Sequence, residues 1–187
     1  MSKKGSAWSV GRGAWEAEPT STPPATTHHS PRTSAALDVR RARLTDVPQL
    51  ETLMAPFVAT GDLLPRSNYD LCRHIKEYVV AEALGGEIVA CASLKVYSSE
   101  LAEIAGLAVR DDQQGRGLGR ALVEALVTEA RAVGVTEVFA LTRKPEFFYR
   151  LEFRPEERQA FPLKVWADCA RCPRQHDCDE IAVALRL

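Results

Sequence analysis

No stretch of the 187 residues is apolar for long enough to span a bilayer. The N-terminal region lacks the apolar core of a signal peptide, so nothing points to secretion. Neither sign of charge prevails: 24 Lys and Arg stand against 25 Asp and Glu, a composition that offers no field for nucleic acid or an anionic membrane. Cysteine is scarce and odd in number, five in all. Without a secretory signal, that count argues against a disulfide framework and for a reducing compartment, the cytoplasm. There is no internal repeat. What the chain does have is a 45% hydrophobic content, enough for one ordinary core, and a length that suits one domain plus an appendage.

The appendage is residues 1–36, rich in Ser, Thr, Pro, Ala and Gly. It has no apolar periodicity and is expected to be disordered, because it cannot bury enough surface to offset the entropy of ordering. His28 and His29 within it read as part of a solvated tail rather than as metal ligands. The folded domain is expected over residues 37–187. It opens with a short strand, Val39 to Ala42. A helix follows, capped by Thr45, with Pro48 in its first turn, a stripe of Val47, Leu50, Leu53, Met54 and Phe57, and Gly61 after its end. Ser67-Asn68-Tyr69-Asp70 has the form of a capping box for a second helix. Val79 to Ala83 and Glu87 to Tyr97 alternate as strands around the Gly85-Gly86 turn. Further strands are expected at Thr136 to Thr142, from Phe153 onward and over the alternating Ile181, Val183, Leu185 and Leu187, with a short helix begun by Pro145 between the first two. The order β-α-α-β-β-β-α-β-α-β predicts an α/β fold, a mixed sheet with helices packed on it.

The most informative stretch is Ile104–Leu126, IAGLAVRDDQQGRGLGRALVEAL. Small and apolar residues up to Val109 read as a strand, Arg110 to Gln113 are polar, and Leu118, Leu122, Ala125 and Leu126 share one helix face. A strand that passes through a glycine-rich turn into a helix is a phosphate trap. The first N–H groups of the helix lack internal partners, the helix dipole adds partial positive charge, and glycine lets a pyrophosphate come close. The spacing is not the dinucleotide-binding G-x-G-x-x-G, and no Lys-Ser/Thr closes it as in a P-loop.

Gln114-x-x-Gly117-x-Gly119 instead matches Q/R-x-x-G-x-G/A, and from about Leu37 onward the chain resembles the GCN5-related N-acetyltransferases, the GNAT superfamily. The resemblance implies acetyl-CoA as co-substrate, held by Gln114, Gly115, Arg116, Gly117, Leu118, Gly119 and Arg120. It also implies a central mixed β-sheet in which two adjacent parallel strands, Glu103–Val109 and Thr136–Thr142, splay apart to admit the pantetheine arm. Backbone N–H groups of Leu107, Ala108 and Val109 would then polarise the thioester carbonyl.

Direct acetyl transfer to an amine needs a held thioester, a neutral amine, a donor to the oxyanion and a proton for the departing thiolate. The resemblance implies that Glu103 is the base, working through a water. A carboxyl set in an apolar strand is expected to have a raised pKa, which suits that task. The family often carries a tyrosine acid in F-Y-x-x-x-G-F, and Tyr149 in Phe148-Tyr149-Arg150-Leu151-Glu152-Phe153 is the candidate, with Glu152 where glycine is usual. The alternatives are a solvated Glu103 and a Tyr149 that only packs.

Leu63–Ser67 (LLPRS), Cys91–Lys95 (CASLK), Ala102–Val109 (AEIAGLAV) and Phe139–Arg143 (FALTR) resemble the acetyltransferase domain of bacterial N-acetylglutamate synthases. That likeness implies Lys95 and Arg143 as holders of the two carboxylates of glutamate, with Arg66 as a further contact. A dicarboxylate leaving water needs such cations. An arginine that some relatives carry in the first helix falls at Ala55, so the clamp departs from theirs. Nothing in the chain resembles the amino-acid kinase-like domain of longer synthases. The expected function is acetyl-CoA-dependent N-acetylation of an amino acid α-amine, glutamate first, as in arginine biosynthesis. Another amino acid, a polyamine, a protein lysine or a silent acyl-CoA-binding module are the alternatives. The implied partner is a small-molecule amino acid, with a homodimer left open. One further feature is a cysteine-rich loop at 169–178. Cys169, Cys172, His176 and Cys178 could hold a structural zinc, or stay reduced, or form a single labile disulfide; no catalytic metal is expected.

Overall fold

A computed structural model describes residues 38–161 and 168–187, with the backbone alone at residue 171. The expected disordered tail over 1–36, the Leu37 start and residues 164–167 ahead of the cysteine loop lie outside the described residues. In chain order the elements are β1 (Asp38–Arg41), α1 (Val47–Ala59), α2 (Asn68–Arg73), β2 (Tyr78–Glu82), β3 (Ile88–Val96), β4 (Leu101–Val109), α3 (Leu118–Ala132), β5 (Glu137–Thr142), α4 (Pro145–Tyr149), β6 (Arg154–Glu156) and β7 (Ile181–Arg186). The strands expected from Phe153 onward and over Ile181–Leu187 are β6 and β7, which pair antiparallel and give one strand more than the order β-α-α-β-β-β-α-β-α-β.

The strands form one sheet in the order β1-β2-β3-β4-β5-β7-β6. Among the described residues only β4 and β5 run parallel; every other neighbouring pair is antiparallel. Helix α3 covers one face with Leu118, Leu122, Val123, Leu126, Val127 and Ala130, which pack against residues such as Ala92, Leu94 and Ile104. Helices α1 and α2 cover the other with Val47, Leu50, Leu53, Met54 and Leu71, against Tyr78, Val80 and Cys91. Being covered on both sides, β3 is buried without a break from Ile88 to Leu94, and its alternation marks two apolar faces rather than an inner and an outer one. A third cluster, at the β5–β7 side, is built on Phe139 and Phe161, whose rings stack at 4.0 Å.

Local signals held at α2. Ser67 Oγ accepts the Asp70 N–H at 3.1 Å while the Asp70 carboxylate accepts the Ser67 N–H at 3.1 Å. At α1 the expected cap is corrected. Thr45 lies inside a 3₁₀ turn, Leu44–Asp46, and Asp46 is the residue that ties the turn. Its buried carboxylate accepts from the Arg43 N–H at 2.7 Å and from both terminal nitrogens of Arg40 at 2.7 and 3.1 Å. The Arg40 hydrogen bonds hold the Asp46 carboxyl below the usual carboxylate range, against the opposing effect of burial. Among the described residues no helix is long and apolar enough to cross a membrane.

Candidate active site

The register of β4 creates the opening. Its parallel pairing with β5 runs only through Leu101–Glu137, Ala102–Val138 and Glu103–Phe139. Beyond Glu103 the two strands part, while β5 stays paired with β7 along its whole length, to Thr142. On the opposite edge, β4 pairs with β3 as Ser93–Ala105 and then Cys91–Ala108, so Gly106 and Leu107 together face Ala92. This is a β-bulge, and Gly106 takes the positive φ, 61°, that such a bulge requires. The bulge interrupts the ladder at Gly106 and Leu107, and the Gly106 carbonyl accepts the Cys91 thiol at 3.5 Å. Ala108 and Val109 are back in register with Cys91 and Ala90. Of the expected carbonyl-binding segment, Leu107 and Val109 line the cleft and Ala108 is buried in the core.

A cleft of about 710 Å³ follows this gap from the start of α3 to the far ends of β3 and β4. Gln114, Gly115, Gly117, Leu118, Gly119 and Arg120 line its first end. Gly117 caps α3 in the left-handed region, φ 83°, and the first helical bond runs from the Ala121 N–H to the Gly117 carbonyl at 3.0 Å. The N–H groups of Leu118, Gly119 and Arg120 thus have no helical acceptor, and they stand at the positive end of a 15-residue helix. Gln114 braces the turn, donating to the Val109 carbonyl at 3.1 Å and to Asp111 at 2.9 Å. Arg116 bonds Gln113 at 2.6 Å and does not line the cleft. A Cβ at Gly119 would stand 3.3 Å from the Phe147 ring, so this glycine serves the packing of α4.

The other end is built from side chains. Glu103 is 3% exposed, lines the cleft and accepts the Tyr97 hydroxyl at 2.8 Å. Burial, then the neighbouring Glu103 carboxyl, pushes the Tyr97 phenol well above its ordinary range, so it stays a donor. Lys95 is the cross-strand partner of Glu103 and so shares its face of the sheet. Lys95, Arg66 and Arg143 all line the cleft, as expected, but each meets a carboxylate. Asp168 accepts Lys95 Nζ at 2.6 Å and the Arg66 fork at 2.8 and 3.2 Å. Arg143 donates to Asp179 at 2.7 Å, to Asp62 at 2.7 Å and to the Gly61 carbonyl at 3.0 Å.

Tyr149 is not brought to the cleft; it is half-buried against the main core. The reason lies in spacing. Glu152 has φ 70°, the conformation that the glycine of F-Y-x-x-x-G-F supplies. Counting back four residues from it reaches Phe148, which does line the cleft. Tyr149 is one residue on, about 100° further round the helix. The cysteine loop is more than a structural appendage: Cys169, Cys172 and Cys178 belong to the cleft wall, which nothing in their spacing signals. Among the described residues, no group of three or more His, Cys, Asp or Glu is arranged to hold a metal ion, so the zinc reading of Cys169, Cys172, His176 and Cys178 gains no support.

A parallel strand pair opened beside a bulge, with an uncapped helix start at one end, forms an extended slot that ends on N–H groups without helical acceptors. Residues 47–153 match the Acetyltransferase (GNAT) family, and the chain belongs to that family. It is 37% identical over 149 residues to an uncharacterized N-acetyltransferase of Chlorobaculum tepidum, covering 80% of this chain and 96% of that protein. Against the amino-acid acetyltransferase of Mycobacterium tuberculosis it is 36% identical over 135 residues, 71% of this chain and 77% of the other. Among solved structures, N-acetylglutamate synthase from Neisseria gonorrhoeae, complexed with coenzyme A and N-acetyl-glutamate, superposes with a TM-score of 0.72 at 28% identity. The match covers 83% of this chain and 36% of that longer one.

Proposed function

We propose that this protein transfers the acetyl group of acetyl-CoA to the α-amine of an amino acid, with glutamate first among the acceptors. The observation that carries the reading is the β4–β5 gap, with the Leu107 bulge on its edge and Glu103 beside Lys95 at its end. The open N–H groups of Leu118, Gly119 and Arg120 suit the pyrophosphate, and the gap suits the pantetheine arm. In this reaction a backbone N–H at the Leu107 bulge is the donor to the negative charge that develops on the thioester oxygen.

Glu103 takes a proton from the incoming ammonium, directly or through a water, which frees the lone pair for attack. The C–N bond forms, the C–S bond breaks, and the proton shed by the nitrogen goes to the departing thiolate. No enzyme thiol is required. Cys91, the cysteine nearest the bulge in the strand register, is fully buried, and burial pushes its thiol up to about 12. Tyr149 has no place in this step. The amino-acid acceptor is supported by the named relatives and by Lys95, Arg66 and Arg143 on the cleft wall; acetylated glutamate would serve arginine biosynthesis. With acetyl-CoA present, free thiol should be released fastest with glutamate. Equal rates with spermidine or with the lysine side chain would defeat the reading.

A further inference from the structure

Two buried hydroxyls border the cleft apart from the base and the cations. Tyr78 of β2, Ser93 of β3 and Ala105 of β4 are successive cross-strand partners and form one row across the sheet. The Lys95–Glu103 pair is the next row on the same face, and the Gly106–Leu107 bulge follows Ala105 on the other side. Tyr78 is 4% exposed and Ser93 is fully buried, yet both line the cleft. A Cβ at Gly106 would stand 3.7 Å from Ser93 Oγ and 3.8 Å from Tyr78 Oη, so both hydroxyls lie against the bulge.

The last member of the row fixes its polarity. The Ala105 carbonyl can only accept, and Ser93 Oγ donates to it at 3.1 Å. That bond takes the one proton of Ser93, so toward its hydrogen-bonding neighbour, the Tyr78 phenol, Ser93 can only accept. The Tyr78 proton is thereby directed to Ser93, and the lone pairs of Oη are left for the cleft. Burial above all pushes the phenol well above its ordinary range, so Tyr78 keeps its proton. An acceptor nitrogen deprotonated at Glu103 reaches the bulge past this row, and a neutral amine still has N–H groups to donate. Resting on the acetyl-transfer reading, we propose that Tyr78 Oη accepts an N–H of the attacking amine and turns the nitrogen lone pair toward the thioester carbon. Ser93 is the positioning residue that holds Tyr78 in that polarity. No proton is transferred at Tyr78; the gain is orientation.

The test is the single-turnover rate with acetyl-CoA prebound and the fastest wild-type amino acid saturating, so that product release cannot hide the chemistry. Tyr78→Phe deletes the oxygen alone and should slow that step about five- to tenfold. Ser93→Ala frees the phenol to turn its proton to the cleft and should slow it about threefold. The acetyl-CoA Kd should match the wild type in both, whereas a loosened sheet would raise it. Because Ser93 acts through Tyr78, the double variant should be no slower than Tyr78→Phe. A Tyr78→Phe rate within about twofold of wild type, a loss matched by weaker acetyl-CoA binding, or single losses that multiply in the double variant overturns the inference. If Tyr78→Phe does not fold, Ser93→Ala decides alone, and a wild-type rate there overturns the inference. A wild type that releases no thiol with any amino acid overturns the acetyl-transfer reading and takes this inference with it; an active wild type with an unmoved Tyr78→Phe rate overturns this inference alone.

Discussion

In the proposed reaction the coenzyme end of the cleft works through main-chain groups, the N–H groups at the start of α3 and the backbone of the Gly106–Leu107 bulge, at glycines of positive φ. At the acceptor end they are side chains, Glu103 on Tyr97 and Lys95 and Arg66 on Asp168, held by partners from distant parts of the chain. A main-chain site is written in a few contiguous residues, and substitution there acts through backbone geometry. A side-chain site is assembled by the fold, and substitution there acts through charge and proton transfer. Damage at one end should therefore leave the binding constant of the other end unchanged.

The largest separation should come from Glu103→Gln. Losing a general base costs about 10²–10⁴-fold in kcat/KM. Isothermal titration should find acetyl-CoA bound as in the wild type, since no coenzyme contact is touched. A rate within a few-fold of wild type would remove Glu103 from the chemistry.

Next in size is an ion pair outside the cleft, which shows whether buried charge in this molecule acts on stability or on function. Asp46 is buried and bound to Arg40 and to the Arg43 N–H. Its pKa is depressed on folding, so its contribution is fully present above the unfolded value and is lost as pH falls through the folded one. Asp46→Asn leaves Arg40 with less compensation and should cost about 3 kcal/mol at neutral pH in denaturant titration, with kcat unchanged. Its stability should also lose the part of the acid decline that begins near pH 5, where an ordinary aspartate starts to protonate. An unaltered pH dependence would contradict the assignment.

Gly117→Val tests the main-chain end. A side chain at φ 83° is disfavoured by about 1–2 kcal/mol, while nothing within 4 Å obstructs a Cβ, so the effect is conformational. The acetyl-CoA KM should rise about tenfold with the acceptor KM unmoved. A rise confined to the acceptor KM would reverse the two ends.

The same contrast explains what could be read in advance. The strand–turn–helix at Ile104–Leu126 and the Ser67 capping box depend on neighbours within a few residues, and the sequence carries their patterns locally; the splayed pair joins strands 36 residues apart and followed from the family resemblance alone. Lys95, Arg66 and Arg143 were placed on the cleft by likeness to relatives, yet their carboxylate partners were not legible, because Asp168, Asp62 and Asp179 meet them only through the tertiary fold. Nor was the cysteine loop legible as a cleft wall. One local signal does separate the aromatic residues: the spacing from Glu152, at φ 70°, back to the aromatic pair selects Phe147 and Phe148 over Tyr149.

Glu152 gives the smallest and sharpest test. The Glu152 N–H bonds the Tyr149 carbonyl at 3.1 Å and the Phe153 N–H bonds the Phe148 carbonyl at 3.2 Å, the paired bonds of a Schellman motif. The Phe148 and Phe153 rings meet edge to face at 5.2 Å, the apolar contact that accompanies the motif. The position between them calls for glycine, and Glu152, at φ 70°, is the single non-glycine residue with positive φ among the described residues. Glu152→Gly removes the clash of Cβ with the backbone, roughly 1–2 kcal/mol, and returns part of it as unfolded-chain entropy. A net gain of about 0.5–1 kcal/mol should appear as a Tm higher by about 1–4 °C, with kcat and both KM values unchanged because Glu152 touches neither end of the cleft. Glu152→Ala deletes the carboxylate but keeps Cβ and should give no such gain. If alanine stabilises as much as glycine, the charge rather than the backbone is the source, and Glu152 no longer marks the glycine position from which Tyr149 was found one residue out of place.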